Sequence, residues 1–406
     1  FLRSKISHMM TIAYITVQDS TNIRSFSGTG YYVPKSLEKQ GAKVHYIGKL
    51  KTKPYLLQKF KEYYYTYVLK KKYWFNRDPK VLKNYARQIQ RELSKIEADV
   101  LVSISGIPLT MVKTDIPIVI WVDAVFPDII DFYPEFTNMA KETIRNGYKM
   151  ERISLDHCSH VVFSSDWAAE SAASHFNLPS EKISVVPYGA NIETSWGKDT
   201  VKGLIQSKSS KKCTLLFVGV DWIRKGGDAA VETVKMLNDN GLPAELHVLG
   251  SSPPEQDKAF PDFVHFHGFI SKETSAGKQQ FHDLISKAHF LILPTKADCT
   301  PIVFAEFNSY GIPCLTNDVG GITTLIKANI NGQTFDLNSS PADYAHYIKN
   351  LFTDYEKYKK MAYRSYEEYA GRLNWIKSGE KMMQVLQNTL KNKLYDKQSS
   401  YTNTGT

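Results

Sequence analysis

Three features that would assign a chain to a broad class are missing from this sequence of 406 residues. It has no apolar run approaching the roughly 20 residues needed to span a bilayer, and no apolar signal-peptide core near its start. Its few cysteines show neither CxxC nor zinc-type spacing, which predicts reduced thiols; they are Cys158, Cys213, Cys299 and Cys314. We therefore expect a cytoplasmic chain, with residues 1–8 a vector remnant before the native methionine.

Basic residues are concentrated in one stretch, although the whole chain carries a net charge of +10. Residues 49–95 contain fourteen Lys or Arg against three acids, and many aromatic residues lie among them. Amphipathic rings beside lysines are typical of a surface that lies on an anionic membrane, here at its inner face. A phosphate-bearing acceptor and a solvated helical hairpin with its aromatics turned to the core are the alternatives. Nucleic-acid binding is not expected, since no RNA-binding motif is present.

Short apolar segments alternate with helical patterns in the first half of the chain, which predicts an α/β fold with a parallel sheet. Gly28 and Gly30 lie in the first strand-to-helix turn, but the third glycine of a dinucleotide fingerprint is missing. Asp123 follows the fourth strand directly, at the edge where open α/β sheets bind ligands. Strands are expected at 10–17, 43–47, 98–103, 117–122, 160–164 and 183–187.

The same alternation restarts after a polar stretch at 195–212, which we interpret as a linker between two domains. Residues 10–195 are predicted to form the first Rossmann-like domain, and residues 212–370 the second. The first strand of the second domain leads into a loop with the sequence Arg224-Lys225-Gly226-Gly227. Residues 371–395 are expected to form a C-terminal helix that packs back toward the first domain. Later strands are expected at 214–218, 244–249, 264–267 and 290–293.

Two acids, Asp298 and Glu306, lie eight residues apart after the apolar strand that ends at Pro294. The pattern predicts a loop and then a helix over 301–310, ended by Gly311 in the left-handed conformation. The start of a helix attracts phosphate, and carboxylates accept hydrogen bonds from ribose or hexose hydroxyls. This combination indicates a nucleotide-sugar site. A surface loop with an acid near a helix start is the ordinary alternative.

Several short motifs follow one another along the chain: Gly28-Thr29-Gly30, Ser164–Trp167, Val185–Ala190, Gly219 with Lys225-Gly226, Gly268–Lys272, Asp298 with Glu306, and Gly320-Gly321. With these motifs in this order, nearly the whole chain resembles glycosyltransferase family 4, whose members have the GT-B fold and a Glu-x7-Glu motif, which Asp298 and Glu306 match. The resemblance implies two facing Rossmann-like domains, the first on the acceptor side and the second binding the donor. It also implies transfer of a hexose-type sugar from a nucleotide-diphosphate sugar, with retention of the anomeric configuration.

The family's diphosphate-binding lysine falls on Lys225. The usual arginine directly after Gly219 is replaced by Val220, and Arg224 is the expected substitute because a guanidinium can bind phosphate through two hydrogen bonds. No Asp-x-Asp pair, with which the metal-dependent class holds a divalent ion, occurs in the chain. We therefore expect these two cations, and no metal ion, to neutralise the diphosphate.

The resemblance also assigns roles to the two acids. Asp298 takes the place of a glutamate that contacts the donor sugar, and Glu306 matches the glutamate that binds the ribose diol. Thr300 could add a hydroxyl to the phosphate contacts, whereas Pro301 replaces a common glycine and offers no N–H. The expected donor-binding residues are Gly28, Gly30, Gly219, Arg224, Lys225, the nucleobase-contacting turn Gly268, Phe269 and Ile270, then Asp298, Cys299, Thr300, Pro301, Ile302, Val303 and Glu306.

Asp123 stands where many family members have a histidine near the reacting centre. Its carboxylate is expected to orient a hydroxyl of the donor sugar or to accept the acceptor's proton. In the front-face attack proposed for this family, the leaving phosphate accepts that proton, and the protein supplies charge neutralisation and positioning. The expected catalytic residues are therefore Asp123, Arg224, Lys225 and Asp298.

Substrate identity is less determined than the reaction class. UDP and GDP are the expected nucleotides, and the acceptor hydroxyl would belong to a glycan, a lipid-linked sugar or a protein. Such a reaction fits the synthesis of cell-envelope polysaccharides or glycoconjugates. Two alternatives stay open: a catalytically silent sugar-nucleotide-binding partner of another transferase, and a GT-B enzyme of another reaction type, such as an epimerase or a phosphorylase.

Overall fold

The computed structural model describes residues 9–52, 55–192, 196–253 and 259–402, with only the helical backbone for 396–402. The chain forms two compact units. The first contains the chain up to Tyr188 and again from Trp375, and the second contains Gly189–Asn374. None of the described helices is both long and apolar enough to cross a bilayer. The expected vector remnant at 1–8 lies outside the described residues.

The first unit is built on a parallel sheet. Over the described residues its strands are β1 (Thr11–Ile15), β2 (Lys43–Ile47), β3 (Val100–Ser103), β4 (Ile118–Val122), β5 (His160–Phe163) and β6 (Ile183–Val185). They pair in the order β2-β1-β3-β4-β5-β6. Strands β1, β3 and β4 are buried along their whole length, as expected for apolar strands covered on both faces. Each strand predicted for this half of the sequence is present.

Amphipathic helices flank this sheet. Helix α3 (Pro79–Leu93) is representative, since Val81, Leu82, Tyr85 and Ile89 are buried at helical spacing. Its start is capped by Asp78, whose side chain accepts a hydrogen bond from the Lys80 amide at 2.8 Å. The helices of the first unit, where described, are α1 (Thr29–Lys39), α2 (Leu56–Tyr63), α3 (Pro79–Leu93), α4 (Phe126–Ile129), α5 (Lys141–His157), α6 (Asp166–Phe176) and, from the end of the chain, α15 (Trp375–Thr402).

The C-terminal helix α15 packs on α1. The two helices approach closely at Gly379, where a Cβ would lie 2.8 Å from the carbonyl oxygen of Ser36. At the start of α15, Trp375 stacks on Tyr32, with ring centroids 6.0 Å apart and an angle of 6° between the planes. The Ser378 hydroxyl donates to the Pro187 carbonyl at 2.7 Å. Aromatic stacking and a glycine contact thus attach the end of the chain to the first unit.

The second unit also has a parallel sheet. Its described strands are β7 (Cys213–Val218), β8 (Ala244–Leu249), β9 (Val264–Phe266), β10 (Phe290–Leu293), β11 (Cys314–Asn317) and β12 (Gly332–Phe335). They pair in the order β12-β11-β10-β7-β8-β9. The direction of winding reverses between β7 and β10, which makes their carboxyl ends the topological switch point of the sheet. The predicted α/β fold with two Rossmann-like domains is confirmed.

The polar stretch at 195–212 is not the linker that its composition predicted. Its described part contains a helix, 198–207, whose Val201 and Ile205 are buried in the core of the second unit. Only two or three apolar side chains, spaced for one helical face, hold this helix, so its composition resembles that of a loop. The described helices of the second unit are α7 (Lys198–Ser207), α8 (Trp222–Lys225), α9 (Gly227–Asp239), α10 (Ser275–Lys287), α11 (Ile302–Asn308), α12 (Ile322–Leu325), α13 (Pro341–Thr353) and α14 (Tyr355–Arg372).

Candidate functional site

Two loops meet at the switch point of the second unit, beyond the carboxyl ends of β7 and β10. These strands are hydrogen-bonded neighbours. The loop after β7 carries Arg224 and Lys225, and the loop after β10 carries Asp298. Because parallel strands end at the same edge of a sheet, residues separated by more than seventy positions in sequence come together here.

The loop after β7 holds its two cations in the short helix α8. Asp221 caps the start of this helix, and its Oδ1 accepts a hydrogen bond from the Arg224 amide at 3.0 Å. Gly226 ends the helix in the left-handed conformation, with φ of 80°. A Cβ at Gly226 would lie 2.3 Å from the carbonyl oxygen of Pro294. Glycine is therefore required twice, for its backbone angle and for the close approach of this loop to the end of β10.

Arg224 and Lys225 both contact the carboxylate of Asp298, which is 8% exposed. The Lys225 ammonium donates to Asp298 Oδ2, and Arg224 Nη1 lies 3.7 Å from the same oxygen. Arg224 also donates to the Ala297 carbonyl at 2.7 Å, and its Nε lies 3.3 Å from Asp221 Oδ2. Two cations thus share two carboxylates, and the buried member of the carboxylate pair is Asp298.

Lys225 lies in a poorly hydrated position. Burial lowers the pKa of its ammonium, while the charge of Asp298 and its hydrogen bond oppose that shift. A Cβ at Gly219 would lie 3.0 Å from the Lys225 Cγ, so the glycine leaves room for the lysine stem. In such a position an anion interacts with the ammonium far more strongly than it would in water.

A second ion pair involves helix α11. Glu306 is 4% exposed, and its Oε1 accepts a hydrogen bond from the Lys272 ammonium at 2.6 Å. The same ammonium lies 4.8 Å from the centroid of the Phe281 ring, a cation–π contact. Sequence reasoning identified Glu306 but missed Lys272 as its partner. The signal that could have found the lysine is its place at the end of the motif Gly268–Lys272.

Helix α11 follows the loop that carries Asp298, and it begins one residue later than predicted. Pro301 is the N-cap, and the helix begins at Ile302. Cys299, Thr300 and Pro301 are buried, whereas Ile302 and Val303 are half-buried. Because Pro301 carries no N–H, the backbone donors at this helix start belong to the residues after it.

Glycines secure both sides of this segment. Gly311 has the predicted left-handed conformation, with φ of 66°, and the Ile312 amide donates to the Phe307 carbonyl at 3.1 Å. This is the Schellman arrangement of a helix end. On the other side, the Gly321 amide donates to the Cys299 carbonyl at 2.9 Å. The glycine pair predicted from the family motif therefore contacts the loop after β10.

The turn after β9 leads directly to Lys272. Gly268 has φ of 65°, and its carbonyl accepts a hydrogen bond from the Gly250 amide at 2.8 Å. Phe269 is exposed, and Ile270 is half-buried. The turn expected to contact a nucleobase and the lysine that binds Glu306 are thus parts of one short loop.

The remaining predicted residues belong to the first unit. Asp123 follows β4 directly and is exposed. Gly28 has φ of 96°, and a Cβ at Gly30 would lie 2.6 Å from the Ser25 Oγ. Both glycines are therefore explained by the backbone and packing of their own loop, whether or not they contact a ligand.

Two family models match the chain, one mostly within each unit. The model for Glycosyltransferase Family 4 matches residues 31–194, and the model for Glycosyl transferases group 1 matches residues 205–368. Two Rossmann-like units with these matches define a glycosyltransferase of the GT-B fold. The chain belongs to glycosyltransferase family 4, as the sequence motifs predicted.

Individual relatives are distant. The glycosyltransferase MJ1607 of Methanocaldococcus jannaschii is 27% identical over 199 residues, covering 46% of this chain and 49% of the relative. The chain spans about half the length of the curated relatives it matches. Sucrose-phosphate synthase of Thermosynechococcus elongatus is similar with a TM-score of 0.69 at 16% identity, covering 95% of this chain and 100% of that one. Anabaena HepE in complex with UDP-glucose has a TM-score of 0.57 at 13% identity, covering 94% and 100%.

Proposed function

We propose that the chain is a retaining, metal-independent hexosyltransferase that uses a nucleotide-diphosphate sugar, with UDP or GDP as the nucleotide. The observation that carries this proposal is the presence of two ion pairs in the segments that follow β7, β9 and β10, Lys225–Asp298 and Lys272–Glu306, each with a buried carboxylate. Buried ion pairs contribute little net stability, and perturbed or buried charges cluster at functional sites. The similarity of the fold to HepE, whose structure contains UDP-glucose, supports this class of donor.

The donor diphosphate would take over the two cations of the loop after β7. Phosphate oxygens accept paired hydrogen bonds from a guanidinium and a strong single contact from an ammonium. Transfer of Arg224 and Lys225 to the diphosphate releases the carboxylate of Asp298 from its ion pair. That carboxylate can then accept hydrogen bonds from hydroxyls of the donor sugar. In this proposal the ion pair stabilises the buried charges until the donor replaces it.

Glu306 would bind the ribose diol with one carboxylate oxygen while Lys272 keeps the other. The buried charge stays paired throughout, which avoids the cost of an isolated carboxylate. The backbone of Gly268–Ile270 would contact the nucleobase. The segment from Cys299 to Val303, with the Thr300 hydroxyl, would contact the phosphates.

Asp123 would act on the acceptor side of the reaction, by orienting a donor hydroxyl or by accepting the acceptor's proton. In the front-face mechanism, the bond from the anomeric carbon to the phosphate oxygen breaks while the acceptor oxygen bonds on the same face. In this mechanism the leaving phosphate takes the acceptor's proton, so the role left to Asp123 is to orient the donor hydroxyl. Charge neutralisation by Arg224 and Lys225 then lowers the barrier.

A thermal-shift screen over UDP-, GDP- and ADP-sugars tests the proposal, because a ligand that binds only the folded state raises the unfolding temperature. The matching sugar should also release free nucleotide slowly, and this release should be much slower in Glu306→Gln and Arg224→Ala. Binding without release, with or without an acceptor, would indicate a silent binding partner instead. Formation of an epimer would indicate another GT-B reaction.

We also propose that the first unit lies on an anionic membrane through α2 and the π-helical turn that follows it, Tyr64–Val68. This segment has its apolar side chains outside: Leu56 is 90% exposed and Phe60 66% exposed. The side chain that α2 buries is the polar Gln58. The aromatic residues of 49–95 were interpreted either as a membrane-binding surface or as the core side of a solvated helical hairpin. The exposure of α2 favours the membrane-binding surface.

Vesicle flotation tests the membrane proposal. Lys71 and Lys72 bond to the loop at 134–138, so neutralising them would also disturb that loop. The better variants are Leu56→Ser with Phe60→Ser, and Lys59→Gln with Lys70→Gln. Flotation with anionic vesicles should be lost in the first pair and weakened in the second, while Leu337→Ser, an exposed leucine in the second unit, is the control. Unchanged flotation, or a dimer that the first pair abolishes, contradicts the proposal.

A further inference from the structure

Three histidines and a glutamate lie together on β8, on β9 and directly after β9, at one edge of the second unit's sheet. Glu245 and His247 are two residues apart on β8, and His265 and His267 are two apart on and after β9. His247 and His265 are direct partners in the parallel pairing. Since side chains alternate along a strand, this register places all four on one face of the sheet. Neither the family motifs nor the donor site uses any of them.

The distances within this group suit a single ion. His247 Nε2 lies 3.4 Å from Glu245 Oε1, and His265 Nε2 lies 3.8 Å from Glu245 Oε2. One ligand atom from each of these three residues lies within 4.8 Å of the others. Neighbouring ligand atoms around a tetrahedral zinc ion are roughly 3.3 Å apart. All three side chains are partly exposed, which leaves them room to rotate toward that spacing.

We propose that Glu245, His247 and His265 bind one divalent transition-metal ion of the zinc class. Two imidazoles and a carboxylate form a common zinc ligand set and leave a fourth position for water. His267 is a positioning residue, since its Nε2 lies 2.8 Å from His247 Nδ1. A hydrogen bond to the nitrogen that does not bind the metal is the usual support of a metal-bound histidine.

Lys212 competes with the ion for Glu245. Its ammonium pairs with Glu245 Oε2, while the Thr214 hydroxyl donates to Oε1 at 2.9 Å. The Lys212 side chain is 52% exposed, so its ammonium can return to water when a metal ion takes the carboxylate. Removal of this lysine should therefore strengthen metal binding. A lysine that does not compete for Glu245 would have no such effect.

A bound ion would cross-link the edge strand β9 to β8. Strand β9 has only three residues, and it leads to the turn at Gly268 and then to Lys272. The proposed ion would therefore stabilise the edge of the sheet from which this loop starts. It takes no part in the donor chemistry proposed above.

The test uses the full chain after treatment with a chelator. Calorimetric titration should show one Zn²⁺ per chain, and Co²⁺ should give visible d–d bands without thiolate charge-transfer bands. We expect His265→Gln to lower the affinity at least about tenfold and His267→Phe to lower it about 10–100-fold. Lys212→Met should raise it. His346→Gln, at an exposed histidine on α13, should leave it unchanged.

The opposite pattern overturns the proposal. Zinc binding that survives in His265→Gln combined with His247→Gln would assign the ion to other ligands. Charge-transfer bands with Co²⁺ would assign it to a cysteine. An affinity in Lys212→Met equal to or weaker than that of the wild type would also overturn the proposal, because the lysine would then not compete for the carboxylate.

Discussion

Helices α2 and α11 are both short, and both depart from the usual rule that apolar side chains are buried and charged ones exposed. Helix α2 departs from it mainly by exposing apolar side chains, and α11 by burying a charge. Helix α2 exposes Leu56 and Phe60 and buries Gln58. Helix α11 buries the carboxylate of Glu306 beside two fully buried aromatics, Phe304 and Phe307. A buried charge and an exposed apolar surface are the two informative exceptions to ordinary burial.

The two exceptions differ in what they demand of the rest of the fold. A buried carboxylate is tolerated only with a partner, so Glu306 depends on Lys272 from another loop, and Asp298 depends on Arg224 and Lys225. The exposed side chains of α2 need no partner within the fold. Substitutions around the buried carboxylates should therefore affect stability and ligand binding together, whereas substitutions on α2 should affect membrane binding alone.

The largest expected difference is in stability, between two phenylalanines. Phe304→Ala should lower the free energy of unfolding by about 3–5 kcal/mol, because it leaves a cavity in the core. Phe60→Ala should change it by less than about 0.5 kcal/mol, since its ring is already in water. Denaturant unfolding of both variants measures the contrast. A large loss in Phe60→Ala would show that α2 is covered in the folded chain.

The next effect concerns the ion pair at the switch point. Lys225→Met should lower the rate of nucleotide release or sugar transfer about 100–1,000-fold, since it removes a cation from the site of charge development. It should also lower the unfolding temperature, because the buried Asp298 loses its nearer cation and keeps Arg224 at 3.7 Å and a hydrogen bond from the Thr295 hydroxyl at 3.2 Å. Lys235→Met, at an exposed lysine on α9, is the matched control. Similar rates in the two variants would exclude the assigned role.

A smaller effect is expected at the second pair. Glu306→Gln should weaken nucleotide binding about 10–100-fold, since hydrogen bonds to a charged group contribute roughly 1.5–3 kcal/mol. A double-mutant cycle that combines Glu306→Gln with Lys272→Met should give a clear coupling energy in the free energy of unfolding. The same cycle on the exposed pair Lys95–Glu92 should give less than about 1 kcal/mol. Equal couplings would mean that burial of Glu306 adds nothing to its interaction.

A buried group that the fold keeps neutral extends the comparison to the dependence of stability on pH. Burial, together with the charge of Lys208, lowers the pKa of His289 to about 3. The Thr214 amide donates to its Nδ1 at 3.0 Å, and its Nε2 lies 2.8 Å from the Ser209 carbonyl. Between about pH 6.5 and pH 3 the unfolded chain binds a proton that the folded chain does not. This histidine therefore makes stability fall as the pH falls, by at most about 1.4 kcal/mol per pH unit.

Thermal unfolding from pH 7 to pH 4 measures this dependence. The unfolding temperature of the wild type should fall more steeply than that of His289→Gln, which cannot take up the proton. His346→Gln should follow the wild type. Parallel curves for the wild type and His289→Gln would contradict the assigned sign.

The strands, the fold class and the family were predictable because their signals are local. Apolar runs between glycine-rich turns identify parallel strands, and the left-handed conformation of Gly311 follows from its place after a helix. The prediction of a polar linker at 195–212 was wrong because α7 is held by only a few apolar side chains, among them Val201 and Ile205. A sequence pattern of that size does not distinguish a short helix from a loop.

By itself, the sequence determined two Rossmann-like domains, the glycosyltransferase family and the positions of Lys225, Asp298 and Glu306 near strand ends. Only the tertiary structure decided which charges meet. It paired Glu306 with Lys272, turned Leu56 and Phe60 outward, and set His247 opposite His265 across two strands. The physical reason is that periodicity specifies which face of an element is apolar, while the partner of a charge depends on strand order and register.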